Sequence, residues 1–341
     1  MTTQPLILIT GGAGFIGSHV AVELLSVGYN VLIYDNFENA ASDVPDRITK
    51  ITGAQATVVR GDVRDRPLIS ETLARYKPDL VMHFAGKKAV GESVAKPLFY
   101  YEANIGGGIC LLTAMSENNI GKLVFSSSAT VYKFVDGKRL TENAPTCPTN
   151  PYGRTKLMLE DIVSDAVTAG ALQGAISLRY FNPVGAHSSG LIGEEPRNKP
   201  NNLFPFIAQT AAGLQETVPV FGNNYKTPDG TGVRDYIHVV DLARGHLAAA
   251  NYLLDCKDTG EHQRINLGTG FGYSVMQALS AFSSACGFEI PHKILPRRPG
   301  DVATCIADPE LANRLLSWRA ESSLDRMCVD HWRFQSKNDS R

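Results

Sequence analysis

Ile7-Leu8-Ile9-Thr10-Gly11-Gly12-Ala13-Gly14-Phe15-Ile16-Gly17 decides the fold, because an apolar, β-branched run passes straight into a glycine-rich turn. A helical pattern from Phe15 to Leu25 follows without a linker. Glycines at such a turn let the backbone bend tightly and approach a pyrophosphate, whose charge then faces the helix N-terminus. The spacing satisfies both G-x-G-x-x-G (Gly12, Gly14, Gly17) and G-x-x-G-x-x-G (Gly11, Gly14, Gly17). A second apolar strand, Val31 to Tyr34, ends at Asp35, eighteen residues after Gly17, where a carboxylate can take a ribose 2′-hydroxyl. The pattern predicts dinucleotide binding, with NAD favoured over NADP because an acid repels a 2′-phosphate.

Outward from this unit the alternation repeats. Strands are predicted at 6–10, 30–34, 56–60, 79–84, 121–127 and 174–180, and helices at 15–27, 66–76, 97–117 and 151–169. Repeated strand–helix–strand order implies parallel strands, right-handed crossovers and helices on both faces. The expected class is α/β, a doubly wound parallel sheet of Rossmann type, which places ligands beyond the C-terminal ends of its strands. After Phe181 the texture changes: Asn182 to Asp235 is rich in Gly, Pro and Asn, with one evident helix around 203–214. A helix at about 239–254 and a strand near 264–267 are expected to return to the sheet, and the tail from 273 reads as mixed. Residues 1–182, with a return of about 236–268, are therefore expected to bind the dinucleotide. Residues 183–341 would form a smaller, loop-rich mixed α/β substrate lobe with a discontinuous boundary.

Composition removes several classes. The 341 residues suffice for one large or two modest domains, and 43% hydrophobic with 20% charged residues is ordinary for a globular chain. A net charge of −1 gives no electrostatic ground for nucleic-acid or anionic-membrane partners. No apolar run reaches the ~20 residues that span a bilayer. Six cysteines (Cys110, Cys147, Cys256, Cys286, Cys305, Cys328) show no C-x-x-C pair, and eight histidines show no metal spacing. Free thiols in a reducing compartment and no metal are expected. The first strand lies so close to Met1 that no leader is expected, and the cytoplasm is the expected location.

Tyr152-Gly153-Arg154-Thr155-Lys156 is the second strong signal. Asn150 can cap a helix with Pro151 at its first position, which puts Tyr152 and Lys156 one turn apart on one face. A tyrosine works as a base near neutral pH only if its phenolate is stabilised, as a neighbouring ammonium and a positive nicotinamide would do. The bland alternative is an ordinary Tyr–Lys pair on an exposed helix. The preceding strand Leu123-Val124-Phe125-Ser126-Ser127-Ser128 sets a hydroxyl at the ligand-side end of the sheet.

Glycine turn, strand-end serine and Y-x-x-x-K together resemble the extended short-chain dehydrogenase/reductase superfamily. Further stretches narrow the resemblance to the UDP-glucose 4-epimerase family: His83-Phe84-Ala85-Gly86, Lys88-Ala89-Val90-Gly91-Glu92-Ser93, Ser126-Ser127-Ser128-Ala129-Thr130-Val131-Tyr132, Arg179-Tyr180-Phe181-Asn182-Pro183-Val184-Gly185-Ala186, Asp229-Gly230-Thr231-Gly232-Val233-Arg234-Asp235-Tyr236-Ile237-His238-Val239 and Pro296-Arg297-Arg298-Pro299-Gly300-Asp301. They run from residue 7 to about 335. The resemblance implies Tyr152 as base, Lys156 as its electrostatic partner and a ribose contact, and Ser128 as hydrogen-bond partner of the sugar 4-hydroxyl. Gly11, Gly14, Phe15, Ile16, Gly17, Asp35, Asn36, Asp62, Val63, Phe84, Ala85, Lys88 and Asn104 would line the NAD site, with Phe181 near the nicotinamide. Lys88, Asn182, Asn202, Leu203, Phe221, Arg234, Arg298 and Asp301 would hold a UDP-sugar, and Cys305 would face the hexose. Guanidinium forks suit a diphosphate, and a carboxylate suits ribose hydroxyls. Each residue also has a plainer reading: Asn202 as a helix cap, Arg234 and Arg298 as ion-pair partners, Asp35 as a strand end.

Three departures from the resemblance stand out. Lys133 replaces the usual Gly, so the loop through Phe134 to Gly137 is expected to take another path; Ala103 stands beside Asn104 where two Asn are common; Lys87 is charged where an apolar residue is common. The implied activity is interconversion of UDP-glucose and UDP-galactose with permanently held NAD, in a homodimer; the apolar faces of the 97–117 and 151–169 helices could form its interface or could equally pack on the sheet. Cys305, at a position commonly Tyr or small, leaves space on the order of a phenol ring, so N-acetylated UDP-hexoses are expected as substrates too. The rivals are a sugar-nucleotide 4,6-dehydratase, a nicotinamide-consuming reductase and a non-catalytic sugar-nucleotide sensor.

Overall fold

The computed structural model describes residues 4–134, 137–195, 200, 202–255, 260–298 and 300–338. Leu6–Thr10 (β1), Asn30–Asp35 (β2), Thr57–Arg60 (β3), Leu80–His83 (β4), Lys122–Ser128 (β5) and Gly174–Tyr180 (β6) form a parallel sheet closed by His262–Leu267. The order is β3-β2-β1-β4-β5-β6 followed by that closing strand, as a doubly wound fold requires. β1 lies in parallel register with both β2 and β4, pairing Thr10 with Tyr34 and with His83. The ends of these central strands therefore meet at one rim. Ile7, Leu8, Leu32, Ile33 and Val81 are fully buried, which makes the strands read as continuous apolar runs. Each such side chain contributes roughly 1.5–3 kcal/mol by leaving water.

The chain divides into two compact units: Met1–Tyr132, Pro145–Arg179 and Ala243–Ile265 in the first, and Lys133–Ala144, Tyr180–Leu242 and Asn266–Arg341 in the second. In the first, Leu8, Leu32, Tyr34, Leu73, Leu111, Phe125 and Leu159 pack the space under the helices. In the second, Phe204, Ile207, Val220, Tyr236, Phe282 and Met327 form a separate core.

The predicted strands lie within two residues of the observed ones, but several helices differ. The span 97–117 is broken into Pro97–Tyr100, a π-turn Tyr101–Gly106 and Gly107–Glu117. The helix from 203 ends at Ala211, because Gly213 turns left-handed (φ 77°). Val44–Thr52 and Val90–Ala95 are helices that the pattern did not reveal. The mixed tail resolves into Val275–Cys286, Glu310–Leu316 and Leu324–Asn338. Asn182–Val184 pairs in parallel with Tyr236–His238, so the glycine-rich stretch carries short strands. Val135 and Asp136, in the loop expected to diverge, lie outside the described residues, as does Cys256. The five described cysteines are free. Among the described residues no helix is long and apolar enough to cross a membrane, and no His, Cys, Asp and Glu group could hold a metal ion.

Candidate active site

Two close approaches set the glycine turn. Gly11 is left-handed (φ 69°), and a Cβ there would lie 2.7 Å from the Ala85 nitrogen. A Cβ on Gly17 would lie 2.4 Å from the Gly11 carbonyl oxygen, so the helix can start this near the turn only without a side chain. Gly14 caps Phe15–Ser26 with no side-chain bond, and the Ser18 N–H donates to the Gly14 carbonyl at 2.9 Å. The N–H groups of Phe15, Ile16 and Gly17 thus lack intrahelical acceptors at the positive end of the helix dipole. This donor set fits a pyrophosphate.

The neighbouring strand ends carry the other expected cofactor residues. Asp35 is 8% exposed, and accepts the Ala13 N–H at 3.0 Å and the Phe37 N–H at 2.8 Å. Burial raises its pKa above the usual carboxylate range, while these two bonds pull it down. The carboxylate therefore ends its strand and also fastens the glycine loop, with lone pairs left for a ribose hydroxyl. Asp62 accepts Arg64 Nε at 2.9 Å, Arg64 Nη2 at 2.8 Å and Asn36 Nδ2 at 3.1 Å. The Arg64 guanidinium holds that carboxyl far below its usual range. Val63 is buried in the first core. Phe84 and Ala85 both donate N–H bonds to the Thr10 carbonyl, at 3.0 and 3.1 Å. The Lys88 ammonium stands 5.9 Å from the Phe15 ring centroid, whereas Lys87 pairs with Glu38 at 2.6 Å. Asn104, in the π-turn, accepts the Lys87 N–H at 2.8 Å and donates to the Lys87 carbonyl at 3.1 Å and to Thr155 Oγ1 at 2.9 Å. It clamps the loop after β4 to the helix Pro151–Thr168.

That helix starts as its sequence predicts. Asn150 accepts the Gly153 N–H at 2.9 Å and Pro151 occupies the first turn. A Cβ on Gly153 would meet the Thr130 carbonyl at 2.7 Å, so the helix lies hard against the end of β5. Lys156 is 6% exposed and donates to the Ser126 carbonyl at 2.6 Å, with its ammonium 5.9 Å from the Tyr152 ring centroid. Burial pushes its pKa down to about 8. Tyr152 moves the other way from the catalytic expectation: burial raises the phenol above its ordinary pKa, and a hydrogen bond with Ser128 only partly opposes this. Ser128 also accepts from Thr130 N at 3.2 Å and from Thr130 Oγ1 at 3.0 Å, which aims its own proton elsewhere. Ser128, Tyr152 and Lys156 are thus brought together.

Sequence reasoning passed over the buried groups behind them. His83 bonds Thr10 Oγ1 at 2.7 Å and is kept neutral, with burial the main cause and Lys156 adding to it. Glu160, fully buried, accepts Ser127 Oγ at 2.5 Å and takes Arg179 through both oxygens. Glu160 was findable, since it continues the Tyr152–Lys156 spacing by four.

Of the expected sugar-nucleotide residues, Lys88, Ser128 and Tyr152 lie in the first unit and the others in the second, as does Phe181. Phe181 is buried and donates its N–H to the Leu267 carbonyl at 3.1 Å; the Asn182 N–H donates to the Asp235 carbonyl at 3.0 Å. Asn202 precedes Leu203–Ala211 without capping it through its side chain, which donates instead to Glu194 Oε1 at 3.2 Å. Leu203 packs on the second core. Arg298 lies 4.6 Å above the Phe221 ring centroid and pairs with Asp301 at 2.9 Å. Arg234 Nη1 donates to the Val233 carbonyl at 2.9 Å and has no ion pair among the described residues, so the ion-pair alternative finds no partner there for Arg234 and holds for Arg298. Cys305 stands directly opposite Arg234 in a parallel strand pair, is 6% exposed, and has its thiol pushed up to about 12 by burial.

Residues 8–331 match the family model described as GDP-mannose 4,6 dehydratase. UDP-glucose 4-epimerase of Bacillus subtilis is 51% identical over 332 residues, covering 97% of each chain. The human UDP-glucose 4-epimerase is 49% identical over 342 residues, covering 98% of this chain and 97% of its own. The crystal structure of UDP-glucose 4-epimerase from Bifidobacterium longum, in complex with NAD+ and UDP, superposes with a TM-score of 0.93 at 48% identity over 98% of both chains. The chain belongs to the family that the dehydratase model describes and, within it, to the UDP-glucose 4-epimerases.

Proposed function

We propose that the chain interconverts UDP-glucose and UDP-galactose by transient oxidation at C4, with NAD held throughout the cycle. The observation that carries this reading is the joining of Ser128, Tyr152 and Lys156 in the same unit as the glycine turn. Tyr152 takes the proton of the sugar 4-hydroxyl, Ser128 bonds that hydroxyl, and Lys156 bonds ribose and stabilises the phenolate. When bound, NAD supplies a positive ring that lowers the phenol pKa and an acceptor for the C4 hydrogen, later returned to the opposite face of the 4-keto sugar. Gly11, Gly14, Phe15, Ile16, Gly17, Asp35, Asn36, Asp62, Val63, Phe84, Ala85, Lys88, Asn104 and Phe181 serve the dinucleotide. Asn182, Asn202, Leu203, Phe221, Arg234, Arg298 and Asp301 grip UDP, which leaves the hexose loose enough to turn over.

Dehydration is disfavoured. The strand end reads Ser128-Ala129-Thr130, with no carboxylate beside the threonine to run an elimination. Cys305 in place of a bulky side chain supports N-acetylated UDP-hexoses as further substrates. A homodimer is supported by apolar side chains left open within 97–117 and 151–169, with Leu98 81%, Ile109 47% and Met158 44% exposed. The free cysteines support a reducing, cytoplasmic location. The test is to mix purified protein with UDP-galactose and no added NAD. UDP-glucose should form, and denatured protein should release NAD; a requirement for added NADP would overturn the reading in favour of a reductase.

A further inference from the structure

Three consecutive serines at the end of β5 meet three residues spaced by four on the helix Pro151–Thr168. The Ser128 hydroxyl bonds Tyr152, the Ser126 carbonyl accepts the Lys156 ammonium at 2.6 Å, and the Ser127 hydroxyl donates to Glu160 at 2.5 Å. Spacing by four puts Tyr152, Lys156 and Glu160 along one helix face. Arg179 on β6 closes the far side of Glu160 with Nε at 2.9 Å and Nη2 at 2.5 Å, and also donates to the Tyr132 hydroxyl at 3.0 Å. Arg264 of the closing strand reaches the same carboxylate at 3.2 Å. A fully buried carboxylate is costly unless paired and hydrogen-bonded, and this one is both. It touches neither the sugar hydroxyl's partners nor the glycine turn.

We propose that Glu160 is a positioning residue of the reaction, whose fixed negative charge keeps the Lys156 ammonium charged and in place beside Tyr152. The proposal rests on Tyr152 being the base. Burial alone works against a charged Lys156, and Glu160 is the anion that opposes it. The other groups facing this pair do not replace that charge. His83 on β4 is neutral, Arg179 and Arg264 are cations, and Tyr100, near Tyr152, is itself bonded to Glu92. With the charge of Glu160 removed, Lys156 would lose its proton at lower pH, and the Tyr152 phenol would lose its stabilising neighbour.

The test is Glu160→Gln, which keeps size and an acceptor for Ser127 but removes the charge. Tyr152 ionisation is read from phenolate absorbance as the difference between each protein and its Tyr152→Phe counterpart. Its midpoint should rise, and the alkaline limb of the kcat profile should move to lower pH, each by about one unit. kcat should fall ~10-fold, with KM for UDP-galactose within about twofold. Glu160→Asp, which retains the charge, should leave both titrations near their parent positions. Should Glu160→Gln fail to fold, Glu160→Gln with Arg179→Met removes both buried charges and should shift both titrations in the same direction but by less, because the lost cation partly offsets the lost anion. A folded variant with unmoved titrations overturns the proposal and leaves Glu160 a purely structural partner of Arg179. Near-parent activity of Tyr152→Phe alone would instead overturn the assignment of the base.

Discussion

The two units hold their site residues in contrasting ways. In the first, the candidate side chains are pinned to backbone or buried partners: Lys156 to the Ser126 carbonyl, Asn104 to both polar groups of the Lys87 backbone, Asp35 to two backbone N–H groups. In the second, the candidate anchors hold onto close neighbours in sequence, Arg234 to the adjacent carbonyl and Arg298 to Asp301 three residues on. Bonds of the first kind are costly to break because the partners would stay buried and unpaired. Those of the second are exposed or short-range and can be exchanged for a diphosphate at little cost. On the proposed function the contrast is a division of labour, with rigidity at the proposed base and exchangeable cations at the proposed diphosphate grip.

The sharpest way to break that contrast is Tyr152→Phe. The loss of one hydroxyl from the pinned unit should leave fold and bound NAD intact while turnover falls by ~10² or more. Assay of kcat beside the NAD released on denaturation checks this; near-parent turnover would take Tyr152 out of the chemistry. In the second unit, Cys305→Tyr should act on specificity instead. Activity on N-acetylated UDP-hexoses should drop ~10-fold or more while UDP-galactose is largely spared. Equal loss of both would mean that the added ring simply overpacks a position already 6% exposed.

The contrast is also one of legibility. The first unit could be read because its strands are long apolar runs separated by periodic helices, and its chemistry sits at their ends. The second has strands of two to four residues, the shortest being Val233–Arg234, Tyr273–Ser274 and Thr304–Cys305, too short to carry a period. Its helices were partly readable: Ser274 and Gln277 form a capping box that announces Val275–Cys286, and the reading passed over it. Val44–Thr52 was hidden by a Pro in its first turn and a charged outer face. The candidate substrate residues became visible only through resemblance, since Asn182, Asn202, Phe221, Arg234 and Arg298 share no spacing. Glu160 was missed for a different reason: a helical Glu is usually read as solvated, and its burial depends on Arg179 on a strand beyond it.

The smallest expected effect concerns buried histidines, which the units treat differently. In the first, both ring nitrogens of His262 meet serine hydroxyls, Ser164 at 2.8 Å and Ser177 at 2.7 Å. In the second, His331 packs against the rings of Phe204 and Phe282, and neither ring nitrogen has a hydrogen-bond partner among the described residues. Burial lowers its pKa to about 4, so between the ordinary imidazole value and about 4 the unfolded chain binds the extra proton. Stability from this group is therefore full above about 6.5 and is lost as pH falls toward 4. His331→Leu should raise the Tm by a few degrees and flatten its decline between about pH 6.5 and 4. An unchanged acid slope would show that His331 finds a partner in solution.

The pairing of β6 with His262–Leu267 has a consequence for how the chain is born. All seven residues of β6 are buried, yet the strand that covers its edge is made only after segment 181–261. At ribosomal speed that delay is on the order of ten seconds, during which β6 presents an apolar, unpaired edge. A product that ends before residue 262 should therefore aggregate more readily than the full chain, which the soluble fraction of each after expression would show.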